Sequence, residues 1–187
     1  AWSWGLVAAT IQILAGFFPI IPPSSIGLPA PTLWIFLIAF ILWFGMLIIG
    51  GIDKKIVGIA FLSGLAYVLT FIDGVGAISR YQTEAKGFIS SMYAMSQMIN
   101  WWGAAAWVVF ITALVKGKSW SLPLGIFAAA MSMFGGFPVG VTDVIIQGRF
   151  SMFLVAPVVS TLLLITFLIP AVRRTILSWS AKTANNG

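Results

Sequence analysis

No charged side chain occurs between Ala1 and Ile52, none between Phe88 and Val115, and none between Phe150 and Val172. About 20 apolar residues are enough to cross a ~30 Å hydrocarbon core as a helix. Uncharged stretches this long, repeated along a chain of 187 residues, leave little sequence from which a soluble core and its charged surface could be built. Composition points the same way: 60% of residues are hydrophobic and 7% charged, against about 45–50% and 25% in soluble domains. The chain reads as an all-α polytopic transmembrane bundle of about six spans, in the cell membrane, with the lipid bilayer as its solvent.

The expected spans are Ser3–Ile21, Thr32–Ile52, Ile56–Ile78, a fourth from about Gln97 to Val115, Trp120–Gln147 and Phe150–Val172. The opening run has no charged n-region and no small-residue cleavage site, so it reads as a span rather than a signal peptide. Between the first two spans, Pro22–Pro31 carries four prolines and a glycine and reads as a loop. Phe88–Val115 is long for one crossing, so its polar first half is expected as an interfacial or protruding turn before Gln97. Within the fifth span, Gly135-Gly136-Phe137-Pro138 combines permissive dihedrals with a missing backbone donor, and a broken helix is expected there. Residues 1–177 form one transmembrane domain in this reading, and 178–187 a polar, frayed C-terminal tail.

The basic residues set the orientation. Six spans place Lys54, Lys55, Lys116, Lys118, Arg173, Arg174 and Lys182 on one side and Arg80, Lys86 and Arg149 on the other. By the positive-inside rule, seven against three puts both termini in the cytoplasm. Although the net charge is +6, these residues lie singly or in pairs between hydrophobic runs. No basic stripe with interleaved aromatics is present, so nucleic acid is not an expected partner.

Four acids remain, and two of them, Asp73 and Asp143, lie in or at the edge of apolar segments, where a carboxylate is costly and often functional. Eighteen residues on from Lys55, Asp73 stands ~27 Å along its helix. Asp143 reaches a similar height if the fifth helix is broken. Both acids are then expected in one outward layer with Arg80, Glu84, Lys86 and Arg149, three charges of each sign. In a structural reading Asp73 pairs with Arg80, and Asp143 with Arg149 or a free amide. In a functional reading they form a solute or ion entrance that binds a cation or proton. Each acid precedes an arginine by six or seven residues, a hint of duplicated hairpins.

Two further groups carry polar or soft chemistry. Gln97, Asn100, Trp101 and Trp102 could line a pocket with amides and indoles, or the tryptophans could be interface anchors. Met92, Met95 and Met98 offer three thioethers of the kind that bind Cu(I), or else flexible apolar filler. Small residues (Gly58, Ser63 and Gly64; Gly103 to Ala106; Ala128 to Ala130) mark close helix packing.

The absence of histidine and cysteine narrows the chemistry further. It removes histidine-ligated haem or copper, a histidine proton relay and iron–sulfur ligation. Paired membrane carboxylates also serve intramembrane aspartyl proteases, but neither acid here follows that family's Gly-x-Gly turn. No catalytic residues and no cofactor are expected in this chain. Two functions fit. One is a small transport or channel protein whose path follows the broken fifth helix, with Asp73 and Asp143 at the outer entrance. The other is a non-catalytic subunit of a respiratory or monooxygenase-type complex, scaffolding partner subunits, lipid or quinone. Its neighbours would be other membrane subunits or further copies of itself.

Overall fold

The computed structural model describes residues 2–15, 30–49, 54–84 and 87–184. Every regular element among them is helical: α1 (Trp2–Ala15), α2 (Ala30–Ile49), α3 (Lys54–Glu84), α4 (Gly87–Val115), α5 (Ser121–Gln147), a 3₁₀ turn (Met152–Leu154), α6 (Val155–Leu168) and α7 (Pro170–Ala184). Most of the expected loop Pro22–Pro31 lies outside the described residues.

Helix α4 is the axis of the bundle. It packs most extensively on α3 and α5, then on α1, while α6 lies against α5. Its run from Gly103 to Val108 is buried, and Trp101, Trp107, Phe110, Ile111 and Leu114 are almost completely enclosed. Aromatic rings tie the elements together. Phe40 of α2 stacks on Tyr67 of α3 with centroids 3.7 Å apart, Phe71 meets Trp101 at 5.2 Å, and Phe110 meets Phe167 of α6 edge-on at 5.3 Å. Gln12 of α1 donates to the Tyr67 hydroxyl at 2.5 Å. The small residues do allow close approach: Ala104, Ala128 and Ala129 are fully buried, and a Cβ on Gly103 would lie 3.2 Å from Ser132 Oγ. Gly58 is an exception, exposed with open space around it.

Four sequence expectations change. The fifth helix is not broken, because α5 is helical from Ser121 through Gln147 with Pro138 inside it. Proline removes one i→i−4 bond, and the residues around it keep helical geometry. The glycines serve packing instead. A Cβ on Gly135 would sit 2.2 Å from Asn100 Oδ1, and one on Gly136 would sit 2.7 Å from the Pro157 ring. The charged connection after the third span is also helical as far as Glu84, since α3 runs on through Arg80. No separate turn precedes Gln97, because α4 is one helix of 29 residues from Gly87.

The fourth change is at the C-terminus. Ile169 is extended (φ −66°, ψ 124°), as expected for a residue before proline, and the chain bends by 75° into α7. The polar stretch from Ser178 is helical as far as Ala184 and docked on the α4–α5 turn. Trp179 Nε1 donates to Leu114 O at 2.7 Å, and Ser180 Oγ donates to Lys118 O at 3.2 Å. That turn closes α4 with Gly117 at φ +60°. Lys118 N–H bonds Ala113 O and Gly117 N–H bonds Leu114 O, the pair of bonds that caps a helix with a left-handed glycine.

Candidate functional site

A seam of polar side chains runs between α3, α4 and α5. Thr70 Oγ1 donates to Ser132 Oγ at 2.9 Å, Trp107 Nε1 donates to the same oxygen at 2.9 Å, and Ser132 Oγ itself donates to Ala128 O at 3.0 Å. This lower part of the seam is satisfied and ties three helices together. One step toward the Gly87 end of α4, Ser96 Oγ donates to Gly135 O at 2.5 Å, and Asn100 Nδ2 donates to Ser96 Oγ at 3.3 Å. Gly135 has no side chain, so Asn100 presses directly on the α5 backbone there.

The upper part of the seam is not satisfied. Asp73 Oδ2, both polar atoms of Gln97 and Asn100 Oδ1 are buried without a hydrogen-bond partner, and the three residues are 6%, 1% and 0% exposed. An unmet buried polar group costs roughly 1–3 kcal/mol, so four such atoms within a few turns need a physical reason. Helical rise puts these residues at one depth: from Ile56, Asp73 is ~26 Å along α3, and from Val115, Gln97 is ~27 Å and Asn100 ~22 Å along α4. Direct contact brings the helices together at this level. A Cβ on Gly74, next to Asp73, would lie 2.9 Å from the Trp101 indole and 3.5 Å from Asn100 Cβ.

Asp143 belongs to a different place. It lies eight residues beyond Gly135, ~12 Å further along α5, and its Oδ2 accepts from Ser151 Oγ at 2.7 Å. Ser151 also accepts from Phe153 N–H and so caps the 3₁₀ turn. Asp143 thus anchors the α5–α6 link, and the expected single layer holding both aspartates splits in two. The expected hairpin duplication splits with it, since Asp73 sits inside a helix that continues past Arg80, while α5 ends four residues after Asp143 and is capped by Gly148, φ +65°. Arg149 is exposed in that link. The side chains of Arg80, Glu84 and Lys86 lie outside the described ones, and with them the expected Asp73–Arg80 pair.

The two tryptophans have different roles. Trp101 is 1% exposed and packs in the core beside Asp73's helix, so it is no interface anchor. Trp102 faces α1, where its Nε1 donates to Ile13 O at 3.1 Å. The methionines fan around α4 in steps of about 60°. Met92 lies 3.9 Å from Thr142 Oγ1, whereas Met95 is 48% exposed. Among the described residues no group of three or more acidic, histidine or cysteine side chains could hold a metal. Sequence reading missed Thr70, Ser96, Ser132 and Ser151. Thr70 and Ser132 are single hydroxyls in apolar runs, and only the partner across the bundle distinguishes them.

Among the described residues, three helical stretches are long and apolar enough to cross a membrane: Ile56–Ala77, Gly87–Val115 and Ser121–Ile146. The bent pair Met152–Leu168 and Pro170–Thr183 makes a fourth if counted as one span. The class these features define is an all-helical bundle compatible with an integral membrane protein. Family models, curated proteins and solved structures give no match to the chain.

Proposed function

We propose that this chain is a six-span protein of the cell membrane, both termini cytoplasmic, that passes a proton or small cation through a polar site formed by Asp73, Gln97 and Asn100. The observation that carries this reading is the set of buried, unpartnered polar atoms at one depth of the α3–α4–α5 seam. A carboxylate within an apolar span is expensive unless it has a partner. A cation or proton supplies that partner, and the amide oxygens of Gln97 and Asn100 replace part of its hydration shell. Asp73 lies four residues from the Ala77 end of its apolar stretch, ~6 Å along the helix, so the site is reached from the outer side in the proposed orientation. Asp143 and Ser151 stiffen the rim above it.

The test is flux in liposomes containing the purified chain. Proton movement is read with an entrapped pH dye under imposed potassium or sodium gradients. The wild type is expected to carry one of these ions, and Asp73→Asn to lower its rate at least tenfold, with the melting temperature in detergent little changed. Equal flux by Asp73→Asn, or none by the wild type under any gradient, sinks the proposal. Co-purification of cofactor-bearing chains together with absent flux would instead favour a non-catalytic subunit.

A further inference from the structure

The polar atoms at the level of Asp73 do not balance one another. Ser96 donates its proton to Gly135 O, so the part of Asn100 that faces Ser96 Oγ is its NH₂ group. The carbonyl oxygen of Asn100 is therefore the atom left unmet. Gln97 adds one unmet oxygen and one unmet NH₂ group, and Asp73 adds Oδ2. An ionised carboxylate can only accept. With Asp73 ionised, this level holds three unmet acceptors and one unmet donor group. A proton on Oδ2 turns the carboxyl into a donor, which leaves two acceptors facing two donor groups.

A metal cation would also relieve these oxygens, but the site offers it too few. Mg²⁺ takes about six oxygen ligands and Ca²⁺ about six to eight, against three unmet oxygens here. Sodium or potassium likewise needs protein oxygens in place of its hydration shell. Backbone carbonyls do not make up the difference, because α3, α4 and α5 run unbroken past this level. Pro138 leaves the Phe134 carbonyl without its helical donor, yet Phe134 and Pro138 are both exposed, while Gly135 and Gly136 face the neighbouring helices. Titratable or charged residues are few on the elements packed against α3. α2 and α6 carry none, α4 carries Tyr93 and α5 carries Asp143. Tyr93 packs on Phe153, and Asp143 is held by Ser151. Arg173, Arg174 and Lys182 of α7 belong to the opposite end of the bundle, where α7 docks on the α4–α5 turn.

We infer that the occupant of this site is a proton, carried on Asp73 Oδ2 and shared with the amide oxygen of Gln97 or Asn100. This names the cargo of the transport site proposed above and rests on that reading for its movement. Loading forms one O–H bond on Asp73, with hydronium as the donor and water as the product, and release reverses the step.

Infrared spectroscopy of the full chain in liposomes tests the occupant directly, and a chain with four acidic residues keeps the carboxyl region assignable. At neutral pH the wild type is expected to show a protonated-carboxyl C=O stretch that shifts in heavy water and is lost in Asp73→Asn. Sodium or potassium chloride is expected to leave that band in place. In Gln97→Leu or in Asn100→Ala the band should move to higher frequency, as a carboxyl does when its acceptor is removed. In the flux assay, with potassium and valinomycin setting the potential, sodium on either side should leave the proton rate unchanged. The measurements on the wild type stand whether or not a variant folds. Absence of the band, its loss on adding either salt, or an unmoved band in both amide variants overturns the inference. Sodium- or potassium-driven flux that Asp73→Asn abolishes also overturns it, while sustaining the transport reading. The band without any flux does the reverse: the proton stands and transport falls.

Discussion

Asp73 and Asp143 have the same chemistry and nearly the same burial, yet different surroundings. Ser151 gives Asp143 a hydroxyl donor eight residues along the chain, whereas Asp73 Oδ2 shares its level with the unmet Gln97 amide and Asn100 Oδ1. What separates them is the residue opposite: a nearby link hydroxyl for Asp143, and the α4 amides for Asp73. The Gly135–Asn100 contact can be probed at this scale. Adding a Cβ at 135 forces it to within 2.2 Å of Asn100 Oδ1, so Gly135→Ala is expected to destabilise the protein by about 1–3 kcal/mol, the usual range for overpacking. Because the clash is with one side chain, Asn100→Ala should restore much of the loss. Thermal melts of the two single variants and the double variant measure that coupling; simple additivity would show that the contact is not formed.

Among the elements, α5 shows how a strong local signal is overridden. Two glycines and a proline in one turn read as a break, yet the helix continues, because Gly135 and Gly136 admit Asn100 and Pro157 from both neighbours. Packing on two sides holds the backbone while Pro138, on the exposed side, gives up one hydrogen bond. Pro138→Ala is therefore expected to leave the fold intact and raise the melting temperature in detergent, since an interior proline costs a helix ~3 kcal/mol. A fall in melting temperature would mean that the proline shapes the helix usefully. Helix ends were the least legible feature throughout. In α3 the charged residues Arg80 and Glu84 read as a loop, whereas polar residues past the apolar stretch simply extend the helix by two turns. The C-terminal helix α7 read as a tail because its anchors are single polar side chains (Trp179, Ser180 and Thr183) bonding a turn more than sixty residues away.

For the molecule as a whole, the proposed topology makes a direct prediction, and the natural lack of cysteine makes it clean to test. Ser91→Cys and Ser119→Cys each place one thiol at an exposed position, at opposite ends of α4. In intact cells a membrane-impermeant maleimide is expected to label Ser91→Cys and to reach Ser119→Cys only after the membrane is opened. The reverse pattern would invert the orientation, and labelling of both from outside would mean that α4 does not cross.

The helical class and the apolar stretches were legible in the residues alone, because hydrophobicity over twenty residues and the absence of charge are local quantities that no packing arrangement alters. So were Gln97, Asn100 and Asp73 as polar residues out of place. It took the packed bundle to bring these three to one depth, to place Asp143 in a link held by Ser151, and to turn the glycines of α5 into seats for neighbours instead of a break. The reason is that a buried polar group is defined by what lies across from it. In a bundle centred on α4, that partner often comes from another helix, as Ser132 does for Thr70 and Gly135 for Ser96.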